Sequence, residues 1–124
     1  MATVTPSRVP HPLGKRNLEV WKWAGVNASD VCTPVVVGGY SDKTVFMLKG
    51  SAFGGNMSLT GSPDPAAAAG AASFITLNDS GLNAISGKTA DFTRVVLESP
   101  YQIAPVAAAG VVTVDVWLVL HTTK

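Results

Sequence analysis

From Val111 to His121 the chain alternates without interruption, with Val112, Val114, Val116, Leu118 and Leu120 on one side and Thr113, Asp115, Trp117 and His121 on the other. A period of two with one apolar phase is the pattern of a strand that has one dry face. Each aliphatic side chain that becomes fully buried contributes about 1.5–3 kcal/mol, so this segment is the largest single contributor to a core. The strand is therefore expected to lie inside a sheet. Nothing of comparable length follows a helical period, and the four alanines from Ala66 to Ala69 make barely one helical turn.

The rest of the chain reads as shorter strands separated by turn residues. Leu18 to Ala24 sets Leu18, Val20 and Ala24 against Trp21 and Trp23, which suggests large side chains on a second, covered face. Val31 to Val37 is β-branched but interrupted by Pro34, so it belongs at an edge or a bulge. Thr44 to Lys49 places Phe46 and Leu48 opposite Val45 and Met47, apolar on both phases. Gly54 and Gly55 then precede Met57, Leu59 and Gly61, which alternate with Ser58, Thr60 and Ser62. Lys49 to Asp64 is accordingly predicted to be a β-hairpin turning at the diglycine. Pro63 to Ala72 reads as a mobile loop, Phe74 to Leu77 and Ala84 to Ser86 as short strands. Arg94 to Glu98 and Tyr101 to Val106 are strand pieces divided by a break or crossover at Pro100. Eight or so short strands without a helix predict an all-β fold: a single β-sandwich, jelly-roll-like, with a small β-barrel as the alternative.

A chain of 124 residues is one domain that can bury a core without staples. It is 47% hydrophobic but only 14% charged, well under the usual quarter, so part of its exterior is expected to be hidden against a partner. The net charge of +1 is unevenly placed: residues 1–22 carry +3 and the remainder −2. Pro6, Pro10 and Pro12 interrupt the first seventeen residues, which read as an extended arm (1–17) ahead of a sandwich body (18–124). A basic arm on a slightly acidic body favours docking onto a neighbour. Four scattered cations are too few for duplex nucleic acid, and no apolar run is long enough for a membrane helix. The expected product is soluble, made in the cytoplasm, with neither nucleic acid nor membrane as partner.

Catalytic constellations are not found. His11 and His121 stand far apart with no ligand spacing, so no metal or cofactor is expected. Asp64, Asp79 and Asp91 lie at turns, where a carboxylate bonds nearby backbone. Cys32 lies among valines and reads as a packed thiol. The chain is read as a non-enzyme.

Lys49-Gly50, Phe53-Gly54-Gly55, Leu59-x-Gly61-Ser62-x-Asp64 and Phe74-x-x-Leu77-x-Asp79 resemble a family of small tailed-bacteriophage virion proteins. The likeness extends through Trp23, Gly25, Asp30, Pro34 and Gly39-Tyr40-Ser41-Asp42, and on through Leu97-Glu98-x-Pro100-Tyr101-x-Ile103-x-Pro105 and Gly110, about residues 20 to 120. Phe74 stands where a Trp is common, and Pro63 with the alanine loop expands the Gly-Ser-x-Asp corner. The resemblance implies a decoration or cement protein on the outer capsid shell, often a homotrimer, with the major capsid protein as partner. On that reading Arg8, His11, Lys15 and Arg16 contact the capsid, and Trp21, Trp23 or Trp117 form the subunit interface. The alternative is a receptor- or glycan-binding module of a head or tail fibre, which requires exposed aromatics beside Asp64 or Asp79.

Overall fold

The computed structural model describes residues 2–10 and 18–121, and it is all-β. Eleven strands are present among the described residues: β1 (Thr3–Val4), β2 (Ser7–Val9), β3 (Leu18–Val26), β4 (Val31–Cys32), β5 (Val35–Val36), β6 (Asp42–Leu48), β7 (Met57–Ser62), β8 (Ile75–Thr76), β9 (Phe92–Val95), β10 (Gln102–Ala107) and β11 (Val114–His121). One sheet has the order β2-β3-β11-β6-β9, a second β5-β10-β7-β8, and β1 pairs with β4 in a short parallel ladder. None of the sheets closes into a barrel.

Counting β3 and β5 to β11 as strands one to eight, the two large sheets read 1-8-3-6 and 2-7-4-5. That order is the jelly roll: all but one of the links between successive strands cross from one sheet to the other. Among these eight only β7 and β8 are both consecutive and paired; β2 and β3, the first of them outside the eight, pair as well. The inner faces meet over Trp23, Val26, Val45, Met47, Val114, Val116, Leu118 and Leu120 from the larger sheet and Val35, Met57, Leu59 and Ile103 from the smaller. The last strand is buried at every second residue, as its alternation requires, with its start at Val114; Val112 lies outside it and is 52% exposed.

The predicted hairpin is not one. Its first strand, β6, belongs to the five-stranded sheet and its second, β7, to the four-stranded sheet, so Lys49 to Asn56 bridges the sandwich. The glycines are needed for a different reason. A Cβ on Gly54 would lie 2.4 Å from the Gly110 carbonyl oxygen, and one on Gly55 would lie 2.3 Å from that of Ala109. Two backbones touch here, and only glycine permits it. The Asp91 carboxylate pins the start of the crossover by accepting the Lys49 (2.8 Å) and Gly50 (3.0 Å) N–H groups.

Pro34 separates β4 from β5, which lie in different sheets, and Pro100 lies in the crossover between β9 and β10. The alanine-rich loop carries no helix; it is held across the small sheet because the Gln102 amide donates to the carbonyls of Asp64 and Ala67. Ala84 forms an isolated bridge to Asn78 in place of the expected strand.

Residues 2–10 are extended but paired with the body. β1 lies parallel to β4, and β2 extends the five-stranded sheet by pairing antiparallel with β3, Arg8 opposite Trp21. Sheet addition supplies the backbone hydrogen bonds that three prolines cannot, so extended chain at this end is stabilised by the body. The boundary drawn at residue 17 therefore does not separate strand-paired from unpaired chain. His11, Lys15 and Arg16 lie outside the described residues.

Candidate interaction face

The larger sheet has an outer face on which apolar side chains from every strand stand among a smaller number of polar ones. Registers fix its composition. Val9, Val20, Val119, Thr44 and Val95 form one row across all five strands, and Ser7, Lys22, Trp117, Phe46 and Thr93 form the next. Leu48 flanks them toward one end and Leu18 toward the other. The aliphatic and aromatic members are half-buried by one another, except Val95 (47%) and Leu48 (40%), which are exposed outright. The largest apolar patch on a folded chain is often a site of contact, and this face is the candidate here.

The middle of this face carries one ion pair, and Asp42 and His121 stand opposite each other at its Leu18 end. The Lys22 ammonium lies 3.7 Å from the Asp115 carboxylate and 4.6 Å from the centroid of the Trp117 ring. Asp115 also accepts the Gly25 N–H at 2.9 Å.

The three tryptophans expected at a subunit interface separate. Trp117 stands on the outer face. Trp23 does not: it is fully buried between the sheets, and its indole N–H donates to the Thr33 carbonyl at 2.8 Å. An irregularity in the β3–β11 register between Val114 and Val116 lets both Trp23 and Val26 point inward. Trp21 packs partly buried on the inner side and donates its indole N–H to Glu19. Glu19 in turn accepts the Tyr40 hydroxyl at 2.7 Å and lies 3.8 Å from Arg8, which is thus directed at its own sheet. The hydrogen bond to Glu19, followed by burial, pushes the Tyr40 hydroxyl above its ordinary value.

What the sequence reading missed on this face is Val9, Val20, Val95 and Val119. A signal existed in β6, which is apolar on both phases: a strand whose two faces are both apolar needs cover on both.

The turn carboxylates brace the backbone. Asp79 accepts the N–H groups of Gly81 (2.9 Å) and Asn83 (3.0 Å) and lies 3.4 Å from the Arg94 guanidinium. The Asn83 bond leads in holding Asp79 below the ordinary aspartate value, against burial, with Gly81 and Arg94 assisting. Asp91 is lowered by its bonds from Lys49 and Gly50. Burial pushes the Glu98 carboxyl up, but the backbone and side-chain amides of Asn78 outweigh it, and the net shift is downward. Asp64 accepts the Ala66 N–H at 2.9 Å, as a turn residue does.

Cys32 is buried, and desolvation, helped by the nearby Asp30, raises its thiol to about 12, far from a reactive thiolate. It lines a 320 Å³ groove between the alanine loop and the outer side of β7 and β10, with Phe74, Ala104 and Val106. Among the described residues no three His, Cys, Asp or Glu side chains converge as they would around a metal ion, and no helix is long and apolar enough to cross a membrane.

No protein-family model matches this chain, and no curated protein matches it.

Proposed function

We propose that the protein is an adhesive structural component of a virion, a decoration protein that binds the outer capsid shell of a tailed bacteriophage and stabilises it by protein–protein contact. The observation that carries this reading is the outer face of the five-stranded sheet, where, among the described residues, apolar side chains from five strands stand half-buried or exposed and the central cation is paired within the chain. Polar groups that would serve chemistry elsewhere here hold turns together: Asp64, Asp79, Asp91 and Glu98 all accept backbone N–H bonds. A jelly roll alone does not decide function, since capsid proteins, lectins and cupins share it. The link to a phage shell comes from the motifs of the Lys49–Asp79 region. The glycan-binding alternative looks for aromatics beside Asp64 or Asp79, whose carboxylates are both engaged by their own turns.

The test is co-sedimentation with empty capsids assembled from the source phage's major capsid protein. Saturable binding at a fixed ratio to capsid subunits supports the reading; protein that stays in the supernatant while binding host polysaccharide contradicts it. Lys15 and Arg16 are the proposed basic contacts, and the double change Lys15→Glu, Arg16→Glu is expected to weaken capsid binding at least tenfold.

A further inference from the structure

We infer that the Asp64–Pro65 peptide bond is a self-cleavage site, at which the chain cuts itself once and stays assembled. The inference concerns the corner between β7 and β8 and is independent of what the protein binds.

Asp64 is the one aspartate in the chain that precedes a proline. The proline ring makes the amide nitrogen tertiary, so it takes up a proton more readily than an ordinary amide and leaves as a secondary amine. The structure adds three features to that bond. First, the Asp64 carbonyl oxygen accepts two donors, the Gln102 side-chain amide at 2.9 Å and the Ala67 N–H at 3.3 Å. Negative charge grows on this oxygen when its carbon is attacked, and a pair of fixed donors stabilises it. Gln102 is only 7% exposed, and its amide is also anchored on the Ala67 carbonyl at 3.1 Å, so it is in place before any reaction.

Second, the attacking group is positioned. The Asp64 carboxylate accepts the Ala66 N–H at 2.9 Å, which draws it alongside the bond to Pro65. The Asp64 N–H in turn donates to Ser62 Oγ at 3.1 Å. Third, Pro63 to Ala66 are exposed, so water and protons reach the bond. The side chains that face this corner from β7, β10 and the loop, Ser62, Gln102 and Ser73, are neutral. None of the three ion pairs among the described residues involves Asp64.

In the step itself a carboxylate oxygen of Asp64 bonds to the residue's own carbonyl carbon. The C–N bond to Pro65 breaks, and the proline nitrogen takes a proton from solvent. Water then opens the cyclic anhydride left at Asp64, giving two carboxyl groups there. The sum is hydrolysis: one water is consumed, nothing is oxidised or reduced, and there is no turnover. The topology keeps the two parts together. In the five-stranded sheet β11, from the second part, lies between β3 and β6 from the first, and in the other sheet β7 lies between β10 and β8. The cut breaks no strand pairing and frees one end of the alanine-rich segment.

The test is incubation of the whole chain at about pH 5, where the turn carboxylates still hold the fold, followed by mass analysis under denaturing conditions and native size-exclusion chromatography. The wild type is expected to yield two fragments, 1–64 and 65–124, that co-elute at the position of the uncut chain. Cleavage should be about tenfold or more faster than in the same chain unfolded in urea at that pH, because unfolding removes Gln102 from the carbonyl. Asp64→Asn and Pro65→Ala are expected to abolish the cut, and Gln102→Leu to slow it to the unfolded rate. In heavy-oxygen water the label should enter the side-chain carboxyl of Asp64 as well as the new terminal one. Direct attack of water on the bond labels only the terminal carboxyl, and loosening of the loop does not change that pattern. A native chain cut no faster than the unfolded one, a cut that survives in Asp64→Asn, or label confined to the terminal carboxyl overturns the inference.

Discussion

Trp23 and Trp117 are offset by a single step on adjacent strands: Trp23 stands opposite Val116, and Trp117 opposite Lys22. In a sheet that step sends side chains to opposite faces, one into the core and the other outward. Their substitutions should therefore behave differently. Trp23→Ala removes a fully buried indole and orphans the Thr33 carbonyl, and is expected to lower unfolding free energy by about 3–5 kcal/mol in urea denaturation. Trp117→Ala loses a partly exposed ring and its contact with Lys22, and should cost the isolated chain only about 1 kcal/mol. From the sequence the three tryptophans look equivalent, because alternation within β3 does not say which of its phases shares a face with Val116 and Leu118 until the register is known. Lys43 gave no signal at all. It lies on the inner phase of β6, 1% exposed, and its ammonium donates to the Tyr40 carbonyl at 3.4 Å. Burial holds its proton affinity below the ordinary lysine value of 10.5. The unfolded chain thus binds more protons in the window below 10.5, and stability rises with pH there. Lys43→Met should raise the unfolding free energy at neutral pH by about 1 kcal/mol in urea denaturation and flatten that alkaline rise.

At the level of elements, the crossover from β6 to β7 shows how one local signal serves two structures. A diglycine between alternating strands fits a tight hairpin and equally fits two backbones in contact; long-range packing against Ala109 and Gly110 selects the second. Gly55→Ala would force its Cβ into the Ala109 carbonyl and is expected to destabilise the fold by roughly 3 kcal/mol, read from the shift of the urea midpoint. Substitution at Gly39, where a Cβ would meet nothing within 4 Å, faces only the penalty of its φ of +97°. Asp79, Asp91 and Glu98 act on neighbouring connections, and all three titrate below their ordinary values of 3.8 for aspartate and 4.5 for glutamate. Their contribution to stability is complete above those ordinary values and is lost as pH falls through the lower folded-state values. The thermal midpoint should hold from neutral pH down to about 5 and fall below about pH 4, with Asp91→Asn showing a shallower acid slope. That turns carry these carboxylates was legible; that Asp91 braces a segment forty residues earlier was not, because nothing local to it records the contact.

For the whole molecule, the all-β sandwich follows from alternation and turn spacing, and those are local properties of the chain. Strand order is set by which edges meet, and most links in a jelly roll join strands that do not pair, so order leaves little trace in neighbouring residues. The start of the chain illustrates the point: three prolines within twelve residues read as an arm, while β1 and β2 in fact gain their hydrogen bonds from the body. The division of labour between the two faces of the large sheet was half legible. The inner phase of β11 announces a core. The outer phase mixes Trp117 and Val119 with Asp115 and His121, and becomes an apolar surface only when β3, β6 and β9 are laid beside it. The account stands on that outer face being covered when the protein works. Hydroxyl-radical footprinting of the free chain at high dilution and of the capsid-bound protein measures this directly. Trp117, Phe46 and Leu48 should be oxidised in the dilute chain and protected on the capsid, with Val112 on the loop before β11 modified equally in both. Equal oxidation of Trp117, Phe46 and Leu48 in the two states would contradict the account.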